Sequence, residues 1–129
     1  MTDLATTDLA TTVDTYLAAW SEPDDARRIA MIKDVWAVDG RLIDPPLVGE
    51  DHDGISEMAK TMQEHFPGHS FRRTSGIDTH HEHLRFSWEL VGPDGAVALA
   101  GVDVGDLADD GRLQRITGFF GDLPALEAV

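Results

Sequence analysis

Apolar residues recur first at helical spacing and then, after residue 69, at every second position. Leu9, Val13, Leu17 and Trp20 repeat every three or four residues, which predicts a first helix with Tyr16 and Ala19 beside its apolar stripe. The motif Asp-Leu-Ala-Thr-Thr occurs at 3–7 and again at 8–12. Residues 1–7 are expected to be a frayed tail and the second copy a helix entry. Ser21-Glu22-Pro23-Asp24 reads as a second helix start, with Ser21 or Glu22 as cap and Pro23 in the first turn. Ile29, Ile32 and Trp36 then follow at helical spacing. Asp39-Gly40 predicts a turn, and Arg41 to Asp44 a short strand stopped by Pro45 and Pro46. Residues 48–53 read as a polar loop. A third helix is expected from about Gly54 to Phe66, with Ile55, Met58, Met62 and Phe66 facing inward and Pro67-Gly68 ending it.

The remainder predicts strands at 70–78, 82–91, 96–107 and 112–121. Leu84, Phe86, Trp88 and Leu90 alternate with His83, Arg85, Ser87 and Glu89, which assigns one face to a core. Gly92-Pro93-Asp94-Gly95 and Asp109-Asp110-Gly111 supply turns. Helices followed by an antiparallel meander indicate an α+β fold in one domain spanning 1–129. A curved sheet with helices over its concave face would enclose a pocket.

Composition narrows the choice of partners. The chain has 129 residues, enough to bury roughly two thirds of its unfolded surface. Ten Lys and Arg against 24 Asp and Glu leave a net charge of −14, which argues against nucleic acid and anionic membrane. With no cysteine, disulfides and thiolate chemistry are excluded. No apolar run approaches the roughly 18 residues of a membrane span. No basic-then-apolar leader opens the sequence, so a cytoplasmic protein is expected.

Two acids stand alone among aliphatics. Asp103, in Gly101-Val102-Asp103-Val104, shares a strand face with Leu99 and Gly101. It is a solvated edge acid, a buried acid bonded to backbone amides, or a buried acid whose pKa is raised by desolvation so that it donates a hydrogen bond. Asp44, in Leu42-Ile43-Asp44-Pro45-Pro46, either starts a turn or acts as a general base at a pocket mouth. Tyr16 is either a core aromatic or an oxyanion donor. His80, His81 and His83 cluster at a strand junction, with His65 and His69 beside the Pro67-Gly68 turn. No third ligand at a fixed spacing completes a metal site, and a solvated turn with one pocket histidine is expected instead.

The order of segments resembles, over nearly the whole chain, the nuclear transport factor 2-like superfamily. This is the cone-shaped fold shared by ketosteroid isomerase and SnoaL-like polyketide cyclases. Tyr16 on the first helix matches the isomerase's oxyanion tyrosine, and Ile43-Asp44-Pro45 is similar to the segment holding its proton-shuttling base. Val102-Asp103-Val104, before Asp110-Gly111-Arg112, resembles the strand with its protonated second donor. Phe119-Phe120 falls where that family places aromatics along its ligand. The family's supporting tyrosines are replaced by Trp36 and Met62.

The resemblance implies three helices packed on a curved antiparallel sheet, and a cofactor-independent proton-transfer enzyme of isomerase or cyclase type acting on a small apolar carbonyl compound. Asp44 would take the proton while Tyr16 and protonated Asp103 hold the enolate oxygen. Trp20, Met58, Met62, Phe86, Trp88 and Phe120 would line the pocket. No metal and no cofactor are expected, and a homodimer through the exposed sheet face is. A non-catalytic binding or dimerisation module is the alternative reading. Epoxide hydrolase or dehydratase chemistry comes third. The epoxide reading needs an arginine between two aspartates, and Arg85 and Arg115 would both face away from the apolar side of their strands.

Overall fold

The computed structural model describes residues 2–128, with side chains for residues 9–127. Three helices, α1 (Thr2–Ala19), α2 (Asp25–Val35) and α3 (Asp51–His65), cover one face of a curved mixed sheet. The strands are β1 (Trp36–Ile43), β2 (Val48–Glu50), β3 (Ser70–Arg73), β4 (Asp78–His80), β5 (His83–Val91), β6 (Val97–Leu107) and β7 (Leu113–Phe120). Their order across the sheet is β2-β1-β7-β6-β5-β3, with β4 paired to the other end of β5. No described helix is long and apolar enough to cross a membrane.

Several boundaries differ from the sequence expectation. The α1 backbone begins at Thr2, so residues 2–7 join the helix rather than a tail. No glycine or proline interrupts that stretch. Met1 lies outside the described residues. Trp36 opens β1 instead of closing α2, its N–H capping the Ile32 carbonyl from extended backbone. The expected polar loop is β2 and the first turn of α3. That helix starts at Asp51, whose carboxylate accepts the Gly54 N–H at 3.0 Å. The strand expected at 70–78 is split into β3 and β4. The sheet is not wholly antiparallel, because β1 runs parallel to β7, pairing Leu42 with Ile116 and Ile43 with Thr117.

The core follows the alternation. Leu84, Phe86, Trp88 and Leu90 of β5 are buried against Val13, Tyr16, Leu17 and Trp20 of α1 and Ile55, Met58 and Met62 of α3. Buried Arg28 ties α2 to its neighbours, donating to Ser56 Oγ at 2.8 Å and to the Glu22 carbonyl at 2.7 Å. On β6, Gly101, Asp103 and Gly105 face inward, while Val102 and Val104 face out. The sheet's inner face thus carries an acid with glycines two residues to either side of it.

Candidate active site

Asp103 is 4% exposed, and its carboxylate is held by two neutral donors from different elements. The Tyr16 hydroxyl donates to Oδ2 at 2.8 Å, and Trp88 Nε1 donates to Oδ1 at 3.0 Å. Trp88 lies beside Asp103 because Phe86 pairs with Asp103 and Trp88 with Gly101, where the missing side chain lets the indole approach. Burial raises the Asp103 pKa from 3.8 to about 6, opposed by these two hydrogen bonds and assisted by the negative charge of Asp44. Burial together with Asp103 pushes the Tyr16 hydroxyl well above 10, so it stays a donor at neutral pH.

Asp44 follows β1 and is half-buried. Its Oδ1 accepts the Leu47 N–H at 3.0 Å, and its own N–H donates to the Leu47 carbonyl at 3.0 Å, closing the turn around Pro45 and Pro46. Turn chemistry and a pocket position therefore coexist. Burial raises its pKa, and the Leu47 N–H partly offsets the rise. Asp44 and Asp103 meet across β7. Gly118 pairs with Asp103, and an added Cβ there would lie 3.0 Å from Asp103 Oδ1 and 3.3 Å from Asp44 Cβ.

The acids border a narrow gap whose wall is a chain of aromatic rings. Trp20 to Phe71, Phe71 to Trp88 and Trp88 to Phe120 have centroids 5.4, 5.1 and 5.7 Å apart. Tyr16, Leu17, Leu42, Met62 and Gly118 complete it. About 10 Å³ is open to the centre of a water-sized sphere, room for roughly one water. Phe71, Phe120 and Asp44 are its partly exposed members, so any larger guest enters past them.

The structure thus brings Tyr16, Asp44, Asp103, Trp20, Met62, Trp88 and Phe120 to one gap. Met58 and Phe86 do not line it; they are buried in the core, Phe86 edge-on to Tyr16 at 6.4 Å. Phe71, Leu17, Leu42 and Gly118 were not anticipated. Inward alternation along β3 could have found Phe71, but nothing in the sequence marks Gly118. No histidine lines the gap. His80 and His83 border a groove on the outer side of the sheet, and His83 Nδ1 lies 2.6 Å from Asp106 Oδ1. Among the described residues no group of three ligating side chains is placed to hold a metal. Nor does an arginine line the gap. Arg85 pairs with Asp78 and Arg115 with Asp106 on the outer face, so the aspartate–arginine–aspartate relay is not assembled.

No family sequence model matches the chain, and no curated protein does. Among solved structures, it is 38% identical to a candidate isomerase of the SnoaL-like family from Agrobacterium tumefaciens. That match spans 90% of this chain and 99% of the other, with a TM-score of 0.83. The chain belongs to the SnoaL-like family. Two remoter likenesses show the fold alone. A nuclear transport factor 2-like protein of unknown function from Exiguobacterium sp. 255-15 is 13% identical, over 87% of this chain and 99% of its own, at a TM-score of 0.68. A candidate polyketide cyclase from Sinorhizobium meliloti is 14% identical, over 88% and 97%, at 0.67. Within this SnoaL-like frame the two acids project from adjoining parts of one sheet toward Tyr16 on the covering helix.

Proposed function

We propose that this SnoaL-like protein is a cofactor-independent proton-transfer enzyme, of isomerase or cyclase type, for a small apolar carbonyl compound. The observation that carries the reading is the meeting of Asp44, Asp103 and Tyr16 at one apolar gap with no compensating cation. Burial makes Asp44 a stronger base than a free carboxylate. It takes the proton from the carbon next to the carbonyl. Tyr16 re-aims its hydroxyl from Asp103 to the developing enolate oxygen, and Asp103 in its protonated form donates the second hydrogen bond. Each such donor is worth roughly 3 kcal/mol of barrier. In an isomerase Asp44 returns the proton to another carbon. In a cyclase the enolate carbon attacks a second carbonyl and the proton passes to the new alkoxide.

The test is hydrogen exchange next to the carbonyl of small ketones in heavy water, followed by proton NMR. The wild type should accelerate it, and Asp44→Asn should lose about 100-fold or more. Tyr16→Phe should lose about 100-fold. Exchange no faster than in buffer across the ketone set would leave the second reading, a non-catalytic binding or dimerisation module. One observation favours that reading: both Asp103 oxygens already have partners, and the gap as it stands admits about one water.

Two copies are inferred to pair through the outer sheet face. Val102, Val104 and Phe119 adjoin there, 38%, 42% and 59% exposed. The surrounding charges are matched in pairs, Arg72 with Glu89, Arg85 with Asp78 and Arg115 with Asp106. On a chain of net charge −14, this is a surface where like molecules can approach.

A further inference from the structure

We propose that Phe71 is a movable partition between the gap and a groove on the surface beside it, and that the two spaces, joined when its ring turns away, form one binding site for an uncharged, flat, two-ring compound. The inference rests on the proton-transfer reading and adds the size and shape of its substrate. The gap admits about one water, too little for any carbonyl compound. Beside it, between α1 and β3, lies an open groove of about 320 Å³, at the lower end of the size range of small-ligand sites. Its walls are Asp14, Leu17, Ala18, Phe71, Arg72 and Arg73. Leu17 and Phe71 line both spaces, so the gap and the groove adjoin across these two side chains.

Of the two, Phe71 is the one with room to move. Leu17 is 3% exposed and packed in the core. Phe71 is partly exposed, and its ring rests against Trp20 of α1 and Trp88 of β5. The backbone around it is held. Phe71 pairs with Leu90 and Arg73 with Trp88, while Arg73 Nε and Nη2 donate to the Asp14 carboxylate at 2.9 and 3.2 Å, fastening β3 to α1. The groove walls therefore keep their spacing while the ring turns about its side-chain bonds. A ring that turns out leaves a slot against the two indoles, and one flat ring of a ligand fills it in its place. The second ring lies in the groove. The charged members of the groove are already matched, Arg73 by Asp14 and Arg72 by Glu89, so the groove suits an uncharged ligand rather than an ion.

The probe is 2-naphthol, an uncharged two-ring mimic of the enol of 2-tetralone. In the wild type, one bound 2-naphthol should show nuclear Overhauser contacts to the Trp88 ring, which lines the gap and not the groove, and to the Ala18 methyl, which lines the groove and not the gap. That result is independent of whether any variant folds. Phe71→Ala leaves the slot open at all times, so by calorimetry it should bind 2-naphthol about ten-fold or more tighter than the wild type. Leu126→Ala, which lines neither space, is the control and should bind as the wild type does. A wild type that binds no 2-naphthol, or that contacts it at only one of Trp88 and Ala18, overturns the joined site. So does a folded Phe71→Ala whose affinity stays within about two-fold of wild type. The chemistry is read separately, from hydrogen exchange next to the carbonyl of 2-tetralone in heavy water. Both contacts without exchange above that in buffer keep the site and reject the proton-transfer reading. Accelerated exchange of small ketones with no contact at Ala18 does the reverse.

Discussion

A carboxylate buried without a cation binds its proton more tightly than the same group in the unfolded chain. For Asp103 the rise from 3.8 to about 6 amounts to about 3 kcal/mol, whose sign follows from linkage. The native state holds the proton where the unfolded chain has lost it. Asp103 therefore contributes stability below its unfolded pKa, and that contribution disappears as pH rises through about 6. In Asp103→Asn the amide oxygen can accept from Trp88 Nε1 while the amide nitrogen donates to the Tyr16 oxygen. Urea denaturation should find this variant more stable than wild type at pH 7 by about 1–3 kcal/mol, with the difference vanishing near pH 4. An equal difference at both pH values would assign the effect to packing rather than charge. Asp44 and Asp103 were legible because lone acids among aliphatics demand an explanation. Their partners were not, since a hydrogen bond from Trp88 to Asp103 depends on strand register rather than on local sequence.

Among the elements, β5 was the most legible, because one covered face imposes strict alternation. The end of α2 misled because Trp36 continues the helical spacing of Ile29 and Ile32, yet it belongs to a strand that packs under the helices. β2 has three residues, too few for a pattern, and the parallel pairing of β1 with β7 has no local signature. The glycines of β6 were similarly silent, although one of them governs the site. The Trp88 ring approaches within 2.5 Å of where a Gly101 Cβ would be, and the Phe119 carbonyl oxygen within 2.3 Å. Gly101→Ala must therefore push Trp88 off Asp103 or separate β6 from β7. A loss of about 3 kcal/mol in chemical denaturation is expected, larger than for Gly118→Ala. Equal effects at the two glycines would contradict the different packing assigned to them.

At the scale of the whole molecule, the helix-then-strand order was enough to read an α+β cone, while the size of its interior gap was not readable at all. A cavity is the residue of side-chain packing, and here Phe71 and Met62 fill much of what a pattern alone would leave open. The outer face carries the remaining prediction. Sedimentation should find a dimer for the wild type, and Val102→Glu should yield a folded monomer, because a glutamate against its own copy adds repulsion and desolvation. A Val102→Glu protein that remains dimeric would move the interface elsewhere.

The place of β7 between β1 and β6 also bears on how the chain comes to be folded. β1 must wait through about 70 residues of intervening chain before its parallel partner exists, and closing so long a loop is slow. During synthesis the helices and the β1–β2 hairpin emerge first, with their apolar faces uncovered and no sheet to receive them. Asp44 and Tyr16 are made early, Asp103 and Gly118 late. A growing chain therefore has no gap shared by the two acids until β7 arrives, and the step that brings Asp44, Asp103 and Tyr16 together is the same one that covers the exposed apolar faces.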